Sequence, residues 1–277
     1  MALTISALGA VYDRERPQFL DASLRSLTAQ IRPADQVVLV CDGPISEALE
    51  HVVQSYRHDL RLETVRLERN VGLGRALNVG LAHCHGELVG RFDTDDINLP
   101  NRFLIQEKAF EESSALHICG GYVSEFEASE SEAVDRIRRV PISHQEIVAR
   151  AWFRNPFNHP SVMFRRAEAM QWGGYVEHLN FEDFLTWQLW IQRGARTANI
   201  PQPLVRMRIA KAFSHRRRGW SYLKQEVSAA RFMHAHGLAS ALQCLLFSGT
   251  RLPLRLLPPA ILVAVYRTIR ALTITNR

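Results

Sequence analysis

Three carboxylates stand within four residues at the end of a strand-like apolar run. Residues 87–92 have the pattern of a strand, and Asp93-Thr94-Asp95-Asp96 follows them directly. Carboxylates this close repel one another, and a cation at the same place would offset that repulsion. Hard divalent ions such as Mg²⁺ and Mn²⁺ take oxygen ligands, often carboxylates together with substrate phosphates. The cluster predicts either a metal-assisted nucleotide site or acids that simply cap a helix expected from Pro100.

The chain upstream of this cluster alternates between strand-like and helix-like segments. Apolar runs predict strands over residues 3–11, 36–41, 60–67 and 87–92, and helical spacing predicts helices over 17–31, 46–56 and 73–83. Such alternation indicates βαβ units and an α/β fold with a mostly parallel sheet. Ligands of such sheets bind outside the carboxyl ends of the strands, where Tyr12, Asp42 and Asp93 all lie.

Beyond residue 100 the pattern is looser, and two polar segments are candidates for chemistry. We predict helices over 100–112, 143–153 and 181–192, strands over 117–126 and 161–164, and an acidic surface loop over 125–135. Glu182-Asp183 lies in an aromatic run, where partial desolvation raises proton affinity and suits a general base. The alternative is a pair of acids favoured by the helix dipole. The proline-bearing segment 155–161 indicates a binding loop or an ordinary turn.

Two weaker signals precede the carboxylate cluster. The carboxylate of Asp42 could accept a hydrogen bond from a base or ribose, although for this residue taken alone a turn position before Gly43 is the better explanation. Residues 69–78 place glycines and Arg75 at a helix N-terminus, which suits an anion. The spacing is not that of a dinucleotide fingerprint, and an ordinary helix start is the alternative.

The composition is that of a soluble globular protein, with 277 residues, 47% hydrophobic and 22% charged. This length fits one large domain or a domain with an appendage. The four cysteines lack metal-ligand or redox spacing, which favours free thiols in a reducing compartment. The N-terminus has no basic leader, so we expect no signal peptide.

Charge is distributed unevenly along the chain. Residues 1–204 carry a net charge of −6, and residues 205–277 carry +12 with a single acid, Glu226. A basic tail of this kind suggests an anionic partner, either membrane phospholipid or nucleic acid, or else a solvated face. Its apolar part is interrupted by arginines and prolines, and the longest uninterrupted stretch, 256–266, is too short for a span of about 20 residues. It is typical of an interfacial segment or of a packed C-terminal helix.

Taken together, these segments resemble the family 2 glycosyltransferases, which have the GT-A fold. The resemblance covers roughly residues 3–215 and rests on the order of six motifs: Ala10-Val11-Tyr12, Cys41-Asp42-Gly43, Asn70-Val71-Gly72 with Asn78, Asp93-Thr94-Asp95-Asp96, Asn158-His159-Pro160-Ser161 and Glu182-Asp183. It implies a Rossmann-like GT-A domain over 1–215, with helices on both sheet faces, and a basic amphipathic C-terminal extension over 216–277. Bacterial enzymes that build exopolysaccharide, capsule or lipopolysaccharide are the most similar.

The resemblance also implies a role for each site residue. Val11, Tyr12, Asp42, Arg75 and Asp93 would bind a nucleotide-sugar donor, commonly a UDP-sugar. Asp93 and Asp95 would hold Mn²⁺ or Mg²⁺, with His215 as an imperfect match for a third ligand. Asn158, His159 and Glu182 would face a glycan or lipid-linked acceptor, and Asp183 would be the catalytic base of an inverting transfer. The chain lacks the Gln-x-x-Arg-Trp motif of processive synthases, so transfer of one sugar is favoured.

Other functions remain open at this level. A sugar-phosphate nucleotidyltransferase would carry a glycine-rich loop after the first strand, where this chain has none. A non-catalytic nucleotide- or membrane-binding module is disfavoured by Asp95 and Asp183, and no recognition motif supports a nucleic-acid partner. We therefore expect a cytoplasmic enzyme, peripheral on the inner face of the bacterial membrane. Residues 256–266 would dip into the interface. The basic residues expected near anionic headgroups are Arg216–Arg218, Arg251, Arg255, Arg267 and Arg270.

Overall fold

The computed structural model describes residues 2–127, 136–209 and 219–256, with the backbone alone at 127 and over 252–256. The chain divides into two compact units, Met1–Arg208 and Ile209–Arg277. In the first unit the order is β1 (Ile5–Val11), α1 (Pro17–Thr28), β2 (Gln36–Cys41), α2 (Glu47–Ser55), β3 (Leu62–Arg66), α3 (Leu73–His83), β4 (Leu88–Arg91), β5 (Ile97–Asn98), α4 (Arg102–Glu112), β6 (Ile118–Glu127), β7 (Arg136–Arg138), α5 (His144–Ala151), β8 (Met163–Arg165), α6 (Arg166–Gln171), α7 (Glu182–Gln192) and β9 (Thr197–Ile209).

One mixed sheet joins the strands of the described residues, in the order β3-β2-β1-β4-β8-β6-β9-β5, with β7 paired to β6. β1 pairs in parallel with β2 and β4, and β2 pairs in parallel with β3. β8 runs antiparallel to both β4 and β6. The carboxyl ends of β1, β2 and β4 therefore meet at one edge of the sheet, as the sequence predicts.

Helices cover both faces of this sheet. The strand β2 is buried from Val37 to Cys41, which explains its continuous apolar run. On one face α1 buries leucines at helical spacing, Leu20, Leu24 and Leu27, together with side chains of α2 and α4. On the other face α3, α5 and α7 form a second apolar cluster. The predicted α/β fold, with helices on both faces, is confirmed.

Some predicted boundaries are wrong, for local reasons. The helix predicted over 17–31 ends at Thr28, since the N–H of Ile31 bonds to Pro100 O instead of a helical carbonyl. In place of a strand over 161–164, Ser161 lies in a 3₁₀ turn, and β8 begins at Met163. The loop predicted over 125–135 begins too early, because β6 continues to Glu127; residues 128–135 lie outside the described part.

The described part of the second unit is a pair of helices, α8 (Gly219–Ala235) and α9 (Ala241–Leu256). The α9 backbone remains helical through Pro253. Over the described residues, no helix has the length and apolarity that crossing a membrane requires. The predicted interfacial stretch beyond Leu256, and the predicted domain boundary at 215/216, fall on residues outside the described part.

Candidate active site

The carboxylate cluster lies where the sequence places it, just beyond the carboxyl end of β4. One carboxylate oxygen from each of Asp93, Asp95 and Asp96 lies within 4.8 Å of the others. Thr94, between them, donates its hydroxyl to Glu15 Oε2 at 2.8 Å. This bond ties the loop after β1 to the loop after β4, so the two strand ends form one site.

The electrostatics of the cluster favour a cation. Burial, with the charges of Asp93 and Glu15, raises the pKa of Asp95 to about 7. Burial, with the charges of Asp93 and Asp95, raises the pKa of Asp96 well above its usual value. Asp95 and Asp96 therefore resist ionisation. The cluster as a whole offers three carboxylate oxygens, the hard donor set that Mg²⁺ and Mn²⁺ prefer. The residues present therefore fit the divalent ion expected from the sequence.

A buried arginine that sequence reasoning missed lies beneath the cluster. Arg91, the last residue of β4, is 1% exposed and forms an ion pair with Asp93. Its Nε and Nη1 atoms are buried without a hydrogen-bond partner among the described residues. Buried charges are normally paired and fully hydrogen-bonded, so the incomplete pairing of Arg91 marks a functional region. The available signal was a single arginine inside an otherwise apolar strand.

A second arginine connects β9 to the cluster. The backbone N–H of Arg208 donates to Asp96 Oδ1 at 2.7 Å, and its Nε donates to Asp95 O at 3.0 Å. Its guanidinium lies over the rings of Phe19 and Phe126, at 4.0 and 4.6 Å from their centroids. Arg208 therefore fixes the loop that presents the carboxylates. The sequence analysis did not predict β9, and it missed this residue with it.

The predicted donor-binding residues surround the ends of β1 and β2. Asp42 is buried, and its carboxylate accepts the backbone N–H groups of Val71 at 2.7 Å and Gly72 at 3.1 Å. This contact holds the start of α3 against the end of β2. Tyr12 is 41% exposed and Arg75 is exposed on the first turn of α3, whereas the side chain of Val11 is buried.

The predicted base lies at the start of α7. Asp183 accepts the side-chain amide of Asn155 at 2.5 Å on Oδ2 and the backbone N–H of Phe184 at 2.6 Å on Oδ1. Asn155, which was not among the predicted site residues, therefore orients this carboxylate. Burial, and then the charge of Asp183, raises the pKa of the adjacent Glu182 to about 7.

A glycine allows α3 and α7 to approach each other. A Cβ on Gly74 would stand 2.7 Å from the carbonyl oxygen of Val176 and 3.2 Å from Glu182 Cβ. The start of α3, which carries the predicted donor residue Arg75, is therefore close to the start of α7, which carries Asp183. The charges of Asp93 and Arg91 also act on Glu182, so the β4 cluster and the α7 acids share one site.

The predicted acceptor residues of the 155–161 segment are directed into the fold. The Asn158 side-chain amide donates to Gly121 O at 2.9 Å. The His159 ring packs against Tyr175 and Trp187, with centroids 5.7 and 5.9 Å away. Burial, and then the charge of Arg91, lowers the pKa of His159 to about 4, so this imidazole is neutral at pH 7. The predicted metal ligand His215 lies outside the described residues.

Comparison with known proteins identifies the family. The family described as "Glycosyl transferase family 2" matches residues 9–172 of the chain. The chain belongs to this family. It is 38% identical over 261 residues to the amylovoran biosynthesis glycosyltransferase AmsE of Erwinia amylovora, which covers 94% of this chain and 97% of that protein. The glycosyltransferase activity expected from the sequence is confirmed.

A second relative and a solved structure agree with this assignment. The UDP-Gal:alpha-D-GlcNAc-diphosphoundecaprenol beta-1,3-galactosyltransferase of Escherichia coli is 34% identical over 264 residues, 95% of each chain. The crystal structure of S. aureus TarS 1-349 in complex with UDP-GlcNAc superimposes with a TM-score of 0.64 at 19% identity, covering 84% of this chain and 67% of that one. Another TarS structure is longer, and this chain spans 40% of it. The expected GT-A fold is confirmed.

Proposed function

We propose that this glycosyltransferase moves one sugar from a UDP-sugar to a hydroxyl of a lipid-linked glycan during bacterial cell-surface polysaccharide synthesis. The observation that carries the proposal is the convergence of the Asp93–Asp96 cluster with Asp183 in one site. Related proteins support the substrate class, because the name of the E. coli relative specifies UDP-galactose and a diphosphoundecaprenol-linked acceptor. The Erwinia relative is named for amylovoran biosynthesis.

The carboxylates at the end of β4 would bind the metal ion and, through it, the donor. Asp93 and Asp95 would hold Mn²⁺ or Mg²⁺, with His215 as a further candidate ligand. Bound there, a divalent ion supplies positive charge that offsets the charge developing on the leaving nucleoside diphosphate. Tyr12 would contact the base, and the exposed Arg75 would lie near the phosphates or sugar. Asp42 would also contact the base, while its carboxylate holds the start of α3.

Residues at the start of α7 would activate the acceptor. Asp183 would remove the proton of the acceptor hydroxyl as that oxygen attacks the anomeric carbon. A single displacement inverts this carbon and needs no covalent intermediate, so one catalytic carboxylate suffices besides the metal ligands. Asn155 and the Phe184 N–H hold both oxygens of Asp183, which supports a base of fixed orientation. Glu182, Asn158 and His159 would shape the acceptor pocket.

The lipid-linked acceptor also bears on location. Acceptors of this kind are anchored in the cytoplasmic membrane, and nucleotide sugars are made in the cytoplasm. We therefore propose a cytoplasmic enzyme that works as a peripheral protein at the inner membrane face. The basic stretch 205–277, with 13 Lys and Arg against one acid, supports contact with anionic headgroups.

The test is a donor and acceptor screen on purified full-length protein. A panel of UDP- and GDP-sugars is incubated with Mn²⁺ and a lipid-diphosphate-linked N-acetylglucosamine acceptor, and nucleoside diphosphate release is measured. We expect UDP release that depends on acceptor, stops with EDTA, and is lost in Asp95→Asn and Asp183→Asn. NMR of the product should show inverted anomeric configuration. Transfer that continues in EDTA would refute the metal role, and retained configuration would refute the single displacement.

A further inference from the structure

The helix α9 exposes an apolar face. Leu242, Leu245 and Leu246 are 65%, 68% and 46% exposed. Their spacing of three and four residues places them on one side of the helix. Full burial of one leucine stabilises a protein by about 1.5–3 kcal/mol, so three neighbouring exposed leucines leave a considerable stabilisation unused. Contiguous exposed apolar surface of this kind marks an interaction site.

Contacts on the opposite side of α9 fix this orientation. Phe247 is fully buried, and Cys244 Sγ donates to Ala230 O of α8 at 3.3 Å. The Arg251 guanidinium lies 3.8 Å from the centroid of the Phe247 ring, and its Nε is 3.4 Å from the buried Glu226 carboxylate. These contacts hold α9 against α8, so the leucines cannot turn inward without breaking an ion pair and an apolar contact. Arg251 is therefore engaged within the helix pair, contrary to the sequence prediction that it meets headgroups.

The net positive charge of the C-terminal stretch favours an anionic partner for this apolar face. Residues 227–277 contain six arginines and no Asp, Glu or Lys. The one acid of the basic stretch, Glu226, is already paired with Arg251. A second copy of the chain would bring together two stretches that both carry a net positive charge. An anionic phospholipid surface instead offers both an apolar layer for the leucines and negative headgroups for the arginines.

We propose that the face formed by Leu242, Leu245 and Leu246, here called the α9 leucine face, inserts into the headgroup region of an anionic bilayer. The helix then lies parallel to the membrane surface. The inference deepens the proposed function, because it rests on a lipid-linked acceptor and names the surface that meets the lipid. It moves the apolar anchor from residues 256–266, as predicted from the sequence, to Leu242–Leu246, which ends ten residues before that stretch begins.

The experiment is vesicle sedimentation of the full-length protein. Wild type is compared with a triple variant carrying Leu242→Ser, Leu245→Ser and Leu246→Ser, on vesicles of phosphatidylglycerol with phosphatidylethanolamine and on phosphatidylcholine alone. The matched control carries Leu104→Ser and Leu179→Ser, two leucines of the first unit that are 44% and 62% exposed. We expect the triple variant to bind anionic vesicles at least about tenfold more weakly, and the control to bind like wild type.

Salt separates the apolar contribution from the ionic one. Since salt screens charges but not apolar contacts, wild type should remain partly bound in high salt, whereas the triple variant should be released completely. The single variants Leu242→Ser and Leu245→Ser should each show a smaller loss of binding. Circular dichroism should be unchanged in all of them, because the substituted side chains are exposed.

Three results would overturn the proposal. If the wild type does not sediment with anionic vesicles, an anionic bilayer is not the partner of this face. If the triple variant binds vesicles normally but forms smaller oligomers in light scattering, the α9 leucine face is a contact between copies of the chain. If deletion of residues 257–277 abolishes vesicle binding and the triple variant still binds, the membrane contact lies in residues 257–277. UDP release without vesicles should be equal in wild type and the triple variant, so failure of the proposed function is detected separately.

Discussion

Replacing Asp95 by Asn should stabilise the protein while it abolishes transfer. Burial, Asp93 and Glu15 raise the Asp95 pKa from 3.8 to about 7. Each pKa unit corresponds to about 1.4 kcal/mol, so the ionised carboxylate costs the folded protein about 4 kcal/mol at most. Asparagine keeps the shape and removes the charge. The gain in unfolding free energy should be about 2 kcal/mol after solvent screening of this incompletely buried group, or roughly 4–8 °C in Tm.

The gain must depend on pH in a defined direction. Below about pH 4 Asp95 is protonated in both the folded and unfolded states, so the substitution changes little. Between pH 4 and 7 the unfolded state ionises while the folded state stays protonated, so wild-type stability falls as pH rises. Above about pH 7 both states are ionised and the difference is constant. The Tm advantage of Asp95→Asn should therefore grow from near zero at pH 4 to its full value at pH 8.

The assay is thermal unfolding in EDTA at several pH values, with and without Mn²⁺. Asp59→Asn, at an exposed site, serves as the control and should show no such trend. Mn²⁺ should raise the Tm of wild type at pH 8 but not that of Asp95→Asn, because the variant has lost a ligand. A variant less stable than wild type at pH 8, or one that Mn²⁺ stabilises equally, would refute the reasoning.

Three further predictions concern the residues around the cluster. Asp183→Asn should reduce transfer by about 10²–10⁴-fold while calorimetry shows unchanged UDP and Mn²⁺ affinity; loss of UDP binding would contradict its role. Asn155→Ala removes the amide that holds Asp183 Oδ2, so steady-state kinetics should show kcat reduced about tenfold or more at constant donor KM. Asp42→Ala leaves the N–H groups of Val71 and Gly72 unpaired, so chemical denaturation should give an unfolding free energy about 1–3 kcal/mol lower, with a raised donor KM.

The parallel half of the fold could be predicted closely from the sequence. The helix predicted over 73–83 coincides with α3, because its apolar positions are periodic and Gly72 marks its start. The strand predicted over 36–41 coincides with β2, since a strand buried on both faces has an uninterrupted apolar run. In both elements the local signal and the tertiary environment agree, so no long-range information was required.

The antiparallel half could not be predicted in the same way. β9 contains Pro201 and Pro203 and several polar residues, so neither alternation nor an apolar run identifies it. Its pairing with β5 joins Val205 to Asn98, about a hundred residues away. A strand that depends on such distant partners leaves a weak local pattern. Arg208 could not be found for the same reason, because its contacts depend on the end of this strand.

Within the site, residue types were predictable but the energetic relations between them were not. The sequence shows carboxylates at 93, 95 and 96 and at 182–183, yet nothing in it shows that Arg91 is buried beneath them or that Asn155 reaches Asp183. Burial is what turns these neighbours into strong interactions, because a low local dielectric makes each unpaired charge costly. Repulsion among the acids at 93, 95 and 96 destabilises the folded protein when no cation is bound. The incompletely hydrogen-bonded Arg91 adds to this cost. A divalent cation bound as proposed would relieve that repulsion, and the nucleoside diphosphate would then be expected to bind together with the metal.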